Sequence, residues 1–242
     1  MAHGTPDWSS TGPSDIIAGV VDLGELAVRL GSPNTLERKG NVVLLNPLTG
    51  AVDSVLADVS GAGSYIELSR KYHRGDGWAV HLCADGTAGA YVGISQLSSL
   101  PVSGLVGVEF DASFNVYTQY AMLEATALVG TLQYKAKVRL NYPTNTLEYY
   151  NDAGVWTTLA SDVYPYPVPY VFHCWKLVID LDVGKYNRFI LNDTVFPMTQ
   201  SINYVTLGQN QNLLSARFSN WSQSGYQSES YVDCAIFTIN EP

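Results

Sequence analysis

Several side chains that carry chemistry crowd the stretch "HCWKLVIDLDVGKYNRFILND", residues 173–193: a His beside a Cys, two Asp one residue apart, and a Lys and an Arg close by. A Cys–His pair is the arrangement of a thiolate with its base, and paired carboxylates serve hard cations or hydrolysis. Strand geometry decides between these uses. In an extended chain successive side chains point to opposite faces, which separates His173 from Cys174, so no catalytic dyad is expected. Asp180 and Asp182 share a face and are the weak candidates for a metal site. A hard cation takes about six or more oxygens, and only these carboxylates are local, so a solvated strand face with no metal and no cofactor is the expectation. Glu109 and Asp111 of "EFDASF" share a face in the same way, and a retaining glycosidase needs two carboxylates about 5 Å apart. His81 and Cys83 share a face of "AVHLCAD", with His73 upstream, but no second pair at zinc spacing completes a site. The sequence has no Gly-x-Ser-x-Gly elbow, no phosphate-cradling Gly-Lys-Ser/Thr loop and no dinucleotide-binding glycine motif.

The element that must position the first cluster is a hairpin. Trp175, Leu177, Ile179 and Leu181 alternate onto one apolar face, "DVGK" supplies a turn with Gly184 available for positive φ, and "YNRFILND" returns. Short alternating segments of this kind recur from Asn41 onward, about a dozen in all, with no amphipathic helix between them. Hydrophobic residues make up 46% and charged residues 14%, with 21 Gly, 11 Pro and 16 Tyr, a composition of many turns and few solvated helices. Residues 41–242 are therefore expected to form an all-β domain, a two-sheet antiparallel sandwich. Residues 1–40 read as an extended arm whose apolar residues Trp8, Leu23, Leu26, Val28 and Leu30 would be satisfied on assembly. "YPYPVPY", residues 164–170, has too many prolines for a central strand, and a polyproline-like crossover with its Tyr rings laid on the core edge is expected. Cys83, Cys174 and Cys234 are odd in number and far apart in apolar contexts, so buried free thiols are expected. The formal charge of −9 argues against nucleic acid as a partner, because phosphate binding needs clustered cations. No apolar run reaches membrane-spanning length, and the N-terminus lacks a secretory signature, so synthesis in a cytoplasm is expected.

The hairpin resembles the Trp-x-x-hydrophobic strand, Asp-x-x-Gly turn and Asn-Asp return of laminin G-like and concanavalin A-like jelly rolls, and "SYVDCAIFTINEP" is similar to their last strand. The resemblance spans residues 41–242 and implies a jelly-roll architecture with the arm ahead of it. Members that cleave β-glucans carry Glu-x-Asp-x-x-Glu, which Glu109 and Asp111 match; Phe114 stands where the second Glu belongs, so no enzyme activity is implied. The leader, with "MAHGTPDW", "DLGELAVRLGS" and "ERKGNVVLL", is similar to that of uncharacterised proteins of bacteriophages and prophages. This implies a non-enzymatic virion structural protein, a capsid decoration or tail-associated subunit made in the host cytoplasm, which forms a homo-oligomer and meets other virion proteins through its arm. The alternative is a lectin-like carbohydrate-binding module for surface glycans, with Tyr149, Tyr150 and Trp156 as a stacking platform.

Overall fold

The computed structural model describes residues 41–48, 56–74, 77–99 and 104–242. The arm residues Trp8, Leu23, Leu26, Val28 and Leu30 lie outside them. The strands are β1 (Asn41–Asn46), β2 (Leu56–Ser60), β3 (Tyr65–Ser69), β4 (Ala79–Ala84), β5 (Tyr91–Ser99), β6 (Leu105–Phe114), β7 (Thr118–Asn141), β8 (Thr146–Tyr150), β9 (Trp156–Ala160), β10 (His173–Asp180), β11 (Lys185–Leu191), β12 (Thr194–Pro197), β13 (Asn203–Ser222) and β14 (Ser228–Ile239). A single 3-10 turn, Tyr142–Thr144, is the only helical element among the described residues. All strand pairings are antiparallel. The larger sheet runs β12-β11-β10-β6-β14-β4-β3, with β1 pairing β14 beyond the end of β4, and the smaller runs β2-β5-β13-β7-β8-β9. Strands from distant parts of the chain thus alternate between two layers, as expected of a jelly roll. Strands β2 and β12 were not read from the sequence, because "LADVS" and "TVFP" are short edge segments with half-exposed patterns.

Alternation builds the core. Val106, Val108, Phe110, Ala112 and Phe114 of β6 and Trp175, Leu177 and Ile179 of β10 point inward to meet Leu123, Ala125, Val138, Leu140, Ala216 and Phe218 of the smaller sheet. Trp175 sits at the centre, ringed by Phe114, Phe189 and Phe218 at centroid separations of 6.3, 5.9 and 5.5 Å. Tyr186 pins the layers together. From β11 it reaches across the core, where its hydroxyl accepts from the Lys137 N–H (2.8 Å) and donates to the Tyr150 carbonyl (2.8 Å). Burial raises its pKa and keeps it neutral.

The long β7 is folded on itself. Lys137 Nζ lies 3.1 Å from Glu124 Oε2 and the Arg139 guanidinium lies 4.1 Å from the Tyr120 ring, whereas thirteen residues of straight strand would span about 43 Å. The element turns back at Gly130, whose φ of 61° suits a residue without a Cβ. The predicted β10–β11 hairpin is present, paired from Trp175↔Leu191 to Asp180↔Lys185 with a bulge between Val178 and Ile179, and Gly184 lies at φ 63°.

Candidate functional site

Two surfaces carry the polar and aromatic side chains that the core does not use. The first is the outer face of the smaller sheet and the loops at its end. On β13, Asn220 points inward and is fully buried, its Oδ1 accepting from Thr118 Oγ1 (3.1 Å) and Ser228 Oγ (3.0 Å). Its neighbour Trp221 therefore points outward. Trp221 stacks on Tyr91 at 4.5 Å and meets the Tyr120 ring edge-on at 6.5 Å. The aromatic row continues through Arg139, whose guanidinium sits 4.1 Å from Tyr120 and 4.0 Å from Trp156, and then to Tyr150, 5.3 Å from Trp156. Cation–π contacts and ring stacking fix these side chains in place before any ligand arrives. The basic groups of the row are paired: Arg139 with Glu148 at 2.6 Å, Lys137 with Glu124 at 3.1 Å and Arg217 with Asp58 at 2.7 Å.

Where this row reaches the loops, Tyr120, Trp221, Pro143, Gln119, Gln223 and Ser224 border an open groove of about 480 Å³. The Gln223 amide donates to the carbonyls of Val116 and Thr118 (3.2 Å each), which holds its side chain in position and leaves Oε1 as an acceptor. Of the predicted platform, Trp156 and Tyr150 stand on this face, half-buried. Tyr149 faces the other way, packs against the core and meets Tyr186 at 5.8 Å, because adjacent strand positions alternate. Trp221 and Tyr120 were missed as site residues. Trp221 lies in "SNWSQ", where the alternation of small polar residues gives no sign of which face is open.

The second surface is the outer face of the larger sheet, where the sequence-predicted carboxylates lie. Its β10 stretch is not the solvated face expected. Cys174, Lys176 and Val178 are 2%, 3% and 0% exposed, because charged groups of opposite sign are brought together there. Lys176 Nζ lies 2.8 Å from Glu241 Oε1, Arg188 donates to Glu241 Oε2 at 2.7 Å, and the Cys174 thiol donates to Glu109 at 3.3 Å. Glu109, Asp111 and Cys174 bring ligand-type atoms within 4.8 Å of one another, the single such group among the described residues. Arg74 pairs with Asp111 at 2.7 Å. A guanidinium and a thiol proton thus occupy contacts that a cation would need. Glu109 and Asp111 meet the separation of a retaining glycosidase but are each 3% exposed. Strand β6 pairs with β10 in unbroken register, so Phe114, at the position of the missing acid, is turned into the core. Asp180 Oδ1 accepts from the N–H groups of Asp182 (3.0 Å) and Val183 (3.4 Å) and shapes the hairpin turn.

His81 and Cys83 share the outer face of β4, where each is engaged by other side chains. His81 Nδ1 lies 3.1 Å from Glu67 and its ring stacks on Tyr231 at 4.5 Å, while Cys83 accepts from Gln227 Nε2 at 2.8 Å. Burial raises the Cys83 thiol, and burial together with Cys83 pushes Tyr65 up to about 12. All three cysteines are buried thiols outside any disulfide, as expected. His173 and Cys174 fall on opposite faces. His173 lies against the Phe114 ring at 5.6 Å, its Nε2 contacts the Tyr166 carbonyl at 2.9 Å, and its Nδ1 contacts Asn192 Nδ2 at 3.1 Å. Because Asn192 Oδ1 accepts from the Cys174 N–H (3.1 Å), the network assigns Nδ2 as donor and Nε2 as the protonated ring nitrogen. Burial, partly opposed by these hydrogen bonds, lowers the His173 pKa. The unfolded chain therefore binds a proton more readily than the native state, and the His173 contribution to stability is present above about pH 6.5 and lost as pH falls through the folded pKa. Thermal melts at pH 7.5 and 5 should show a larger acid loss for the wild type than for His173→Gln; equal losses would contradict this assignment.

No protein-family model matches the sequence, and no curated protein does. Solved structures do resemble it. A protein with a galectin-like fold from Bacillus subtilis shares 11% identity with a TM-score of 0.54, covering 83% of this chain and 97% of its own. The carbohydrate recognition domain of Emp46p shares 10% with a TM-score of 0.51, covering 83% and 98%. An endo-β-1,4-glucuronan lyase from the fungus Trichoderma reesei shares 10% with a TM-score of 0.52, covering 83% and 96%. The fold is a concanavalin A-like jelly roll. At such identities the likeness concerns the fold alone, and as one of these proteins is a recognition domain and another a lyase, it does not choose between binding and cleavage. None of the three is described as a virion protein.

Proposed function

We propose that the protein is a lectin-like carbohydrate-binding module that holds a glycan in the Tyr120–Trp221 groove. The observation that carries this reading is the pairing of a braced indole with fixed polar groups in one open concavity. A pyranose ring has an apolar C–H face and an equatorial rim of hydroxyls; the first suits stacking on an aromatic surface, the second suits amide and hydroxyl partners such as Gln119, Gln223 and Ser224. Stacking on Tyr91 fixes the Trp221 rotamer, so little ordering entropy is lost on binding. Binding without turnover is favoured because the Glu109 and Asp111 pair belongs to the other sheet, is buried, and is engaged by Cys174 and Arg74.

Titration of tryptophan fluorescence with soluble neutral polysaccharides tests the proposal. Trp221→Ala should weaken binding roughly 30-fold, the equivalent of about 2 kcal/mol for an aromatic anchor. Absence of binding by the wild type at millimolar ligand, or unchanged affinity in Trp221→Ala, would remove the groove as a glycan site.

A further inference from the structure

The crossover from β9 to β10 does not lay its tyrosines on the core edge as expected. Tyr164, Tyr166 and Tyr170 are 67%, 63% and 64% exposed, the three most exposed aromatic side chains among the described residues. Tyr170 still meets a ring, Tyr72, at 6.0 Å; burying an aromatic ring is among the larger favourable terms in folding, so Tyr164 and Tyr166, turned to solvent on one segment, have no explanation in the stability of the sandwich. The segment is also held in place. Pro165, Pro167 and Pro169 restrict φ, residues 162–168 carry no regular helix or strand, and turn bonds from the Val168 N–H to the Tyr166 carbonyl and from the Val171 N–H to the Val168 carbonyl (3.0 Å each) bend the second half of this strap. The Val163 N–H donates to the Asn145 carbonyl (3.0 Å), His173 Nε2 to the Tyr166 carbonyl (2.9 Å) and Ser113 Oγ to the Pro169 carbonyl (2.7 Å). The strap is thus tied to the sandwich at its start, middle and end while the Tyr164 and Tyr166 rings stay exposed.

Its position links it to the groove. The turn following β7 contributes Pro143 to the groove wall, and two residues later Asn145 anchors the strap immediately before Tyr164. The strap thus begins beside the turn that closes one wall of the groove. Charge narrows the class of ligand further. Arg139, Lys137 and Arg217 on the adjoining face are each paired with a carboxylate, and the net charge of −9 repels polyanions.

We propose that the strap extends the groove, so that the protein binds a linear, neutral glycan several units long, of the β-1,4-linked type whose equatorial substituents leave flat C–H faces for successive rings. This rests on the groove reading above, and the experiment separates the two. Calorimetric titration of the full chain with cellobiose and cellohexaose should give about tenfold tighter binding of the longer ligand, as expected when additional units engage a pre-organised adjoining surface. The combined variant Tyr164→Ala and Tyr166→Ala should bring cellohexaose to within about twofold of cellobiose while leaving cellobiose affinity as in the wild type. Trp221→Ala should weaken both. Because the strap rings are exposed, the combined variant should melt at the wild-type temperature, which confirms that it is folded. A wild type without length dependence, or a combined variant that retains it, overturns the strap proposal and leaves the groove reading standing if cellobiose binds. Binding of neither sugar overturns both.

Discussion

Trp175→Ala should destabilise the protein by about 3–5 kcal/mol, the range for truncating a large aromatic residue in a packed core, and so remove a large share of the ~5–15 kcal/mol that holds a domain of this kind together. The residue is 0% exposed and touches both layers, through Phe114 and Phe189 on its own sheet and Phe218 on the facing one. Strand β10 is paired on both sides, with β6 and with β11, so the backbone cannot collapse inward to fill the space. A second substitution separates volume from polarity. Trp175 Nε1 is buried with no hydrogen-bond partner among the described residues, and an unsatisfied N–H of this kind costs about 1–3 kcal/mol. Trp175→Phe loses some contact area but also removes that donor, so it should cost about 1 kcal/mol or less. Denaturant unfolding of the two variants checks the pair of values. Equal losses in both would show that the indole N–H is satisfied in the native state.

Trp175 is also the clearest example of what can be read without coordinates. Its alternation with Leu177, Ile179 and Leu181 identifies a core face, and the Asp182–Lys185 turn identifies the return strand, because both depend on neighbours within a few residues. The separation of His173 from Cys174 follows from the same local rule. Failures arise where the deciding partner is remote. Lys176 looks solvated because Lys usually is, and its partner Glu241 lies 65 positions away, brought near by the β10-β6-β14 order of the sheet. Tyr164 and Tyr166 look like core-edge residues because aromatic rings usually pack, yet the prolines that bar them from a strand also hold them off the sandwich, whereas Tyr170 meets Tyr72. The groove combines loops around residues 88, 119, 143 and 221, a meeting that depends on strand order and leaves no trace in any one segment. Glu109 and Asp111 illustrate a partial reading: shared face and short separation are visible in the sequence, but burial and the Arg74 contact are tertiary.

The ion cluster around Glu241 yields the second large effect. The Glu241 side chain is 0% exposed and takes contacts from Lys176, Arg188 and Thr238 Oγ1. Lys176 is 4% exposed at its side chain, and its 2.8 Å approach to Glu241 has an angle poorly suited to a hydrogen bond, so its charge is balanced mainly by proximity. Arg188 is better served, at 17% exposure and with the Asn187 side chain and the Pro242 carbonyl as further acceptors at 2.8 Å each. Removing one member of a buried pair leaves a desolvated charge behind, at a cost of about 3–5 kcal/mol. Glu241→Leu should therefore destabilise by about that amount, chiefly through the stranded Lys176 ammonium. Lys176→Met should cost less, because Glu241 retains Arg188 and Thr238. The double variant places two apolar side chains of similar length on an otherwise enclosed strip, and should recover at least about 2 kcal/mol relative to the sum of the singles. Chemical unfolding of the four proteins closes the cycle. An additive double variant would mean that Lys176 and Glu241 do not depend on each other, and the buried strip would then owe its stability to packing alone.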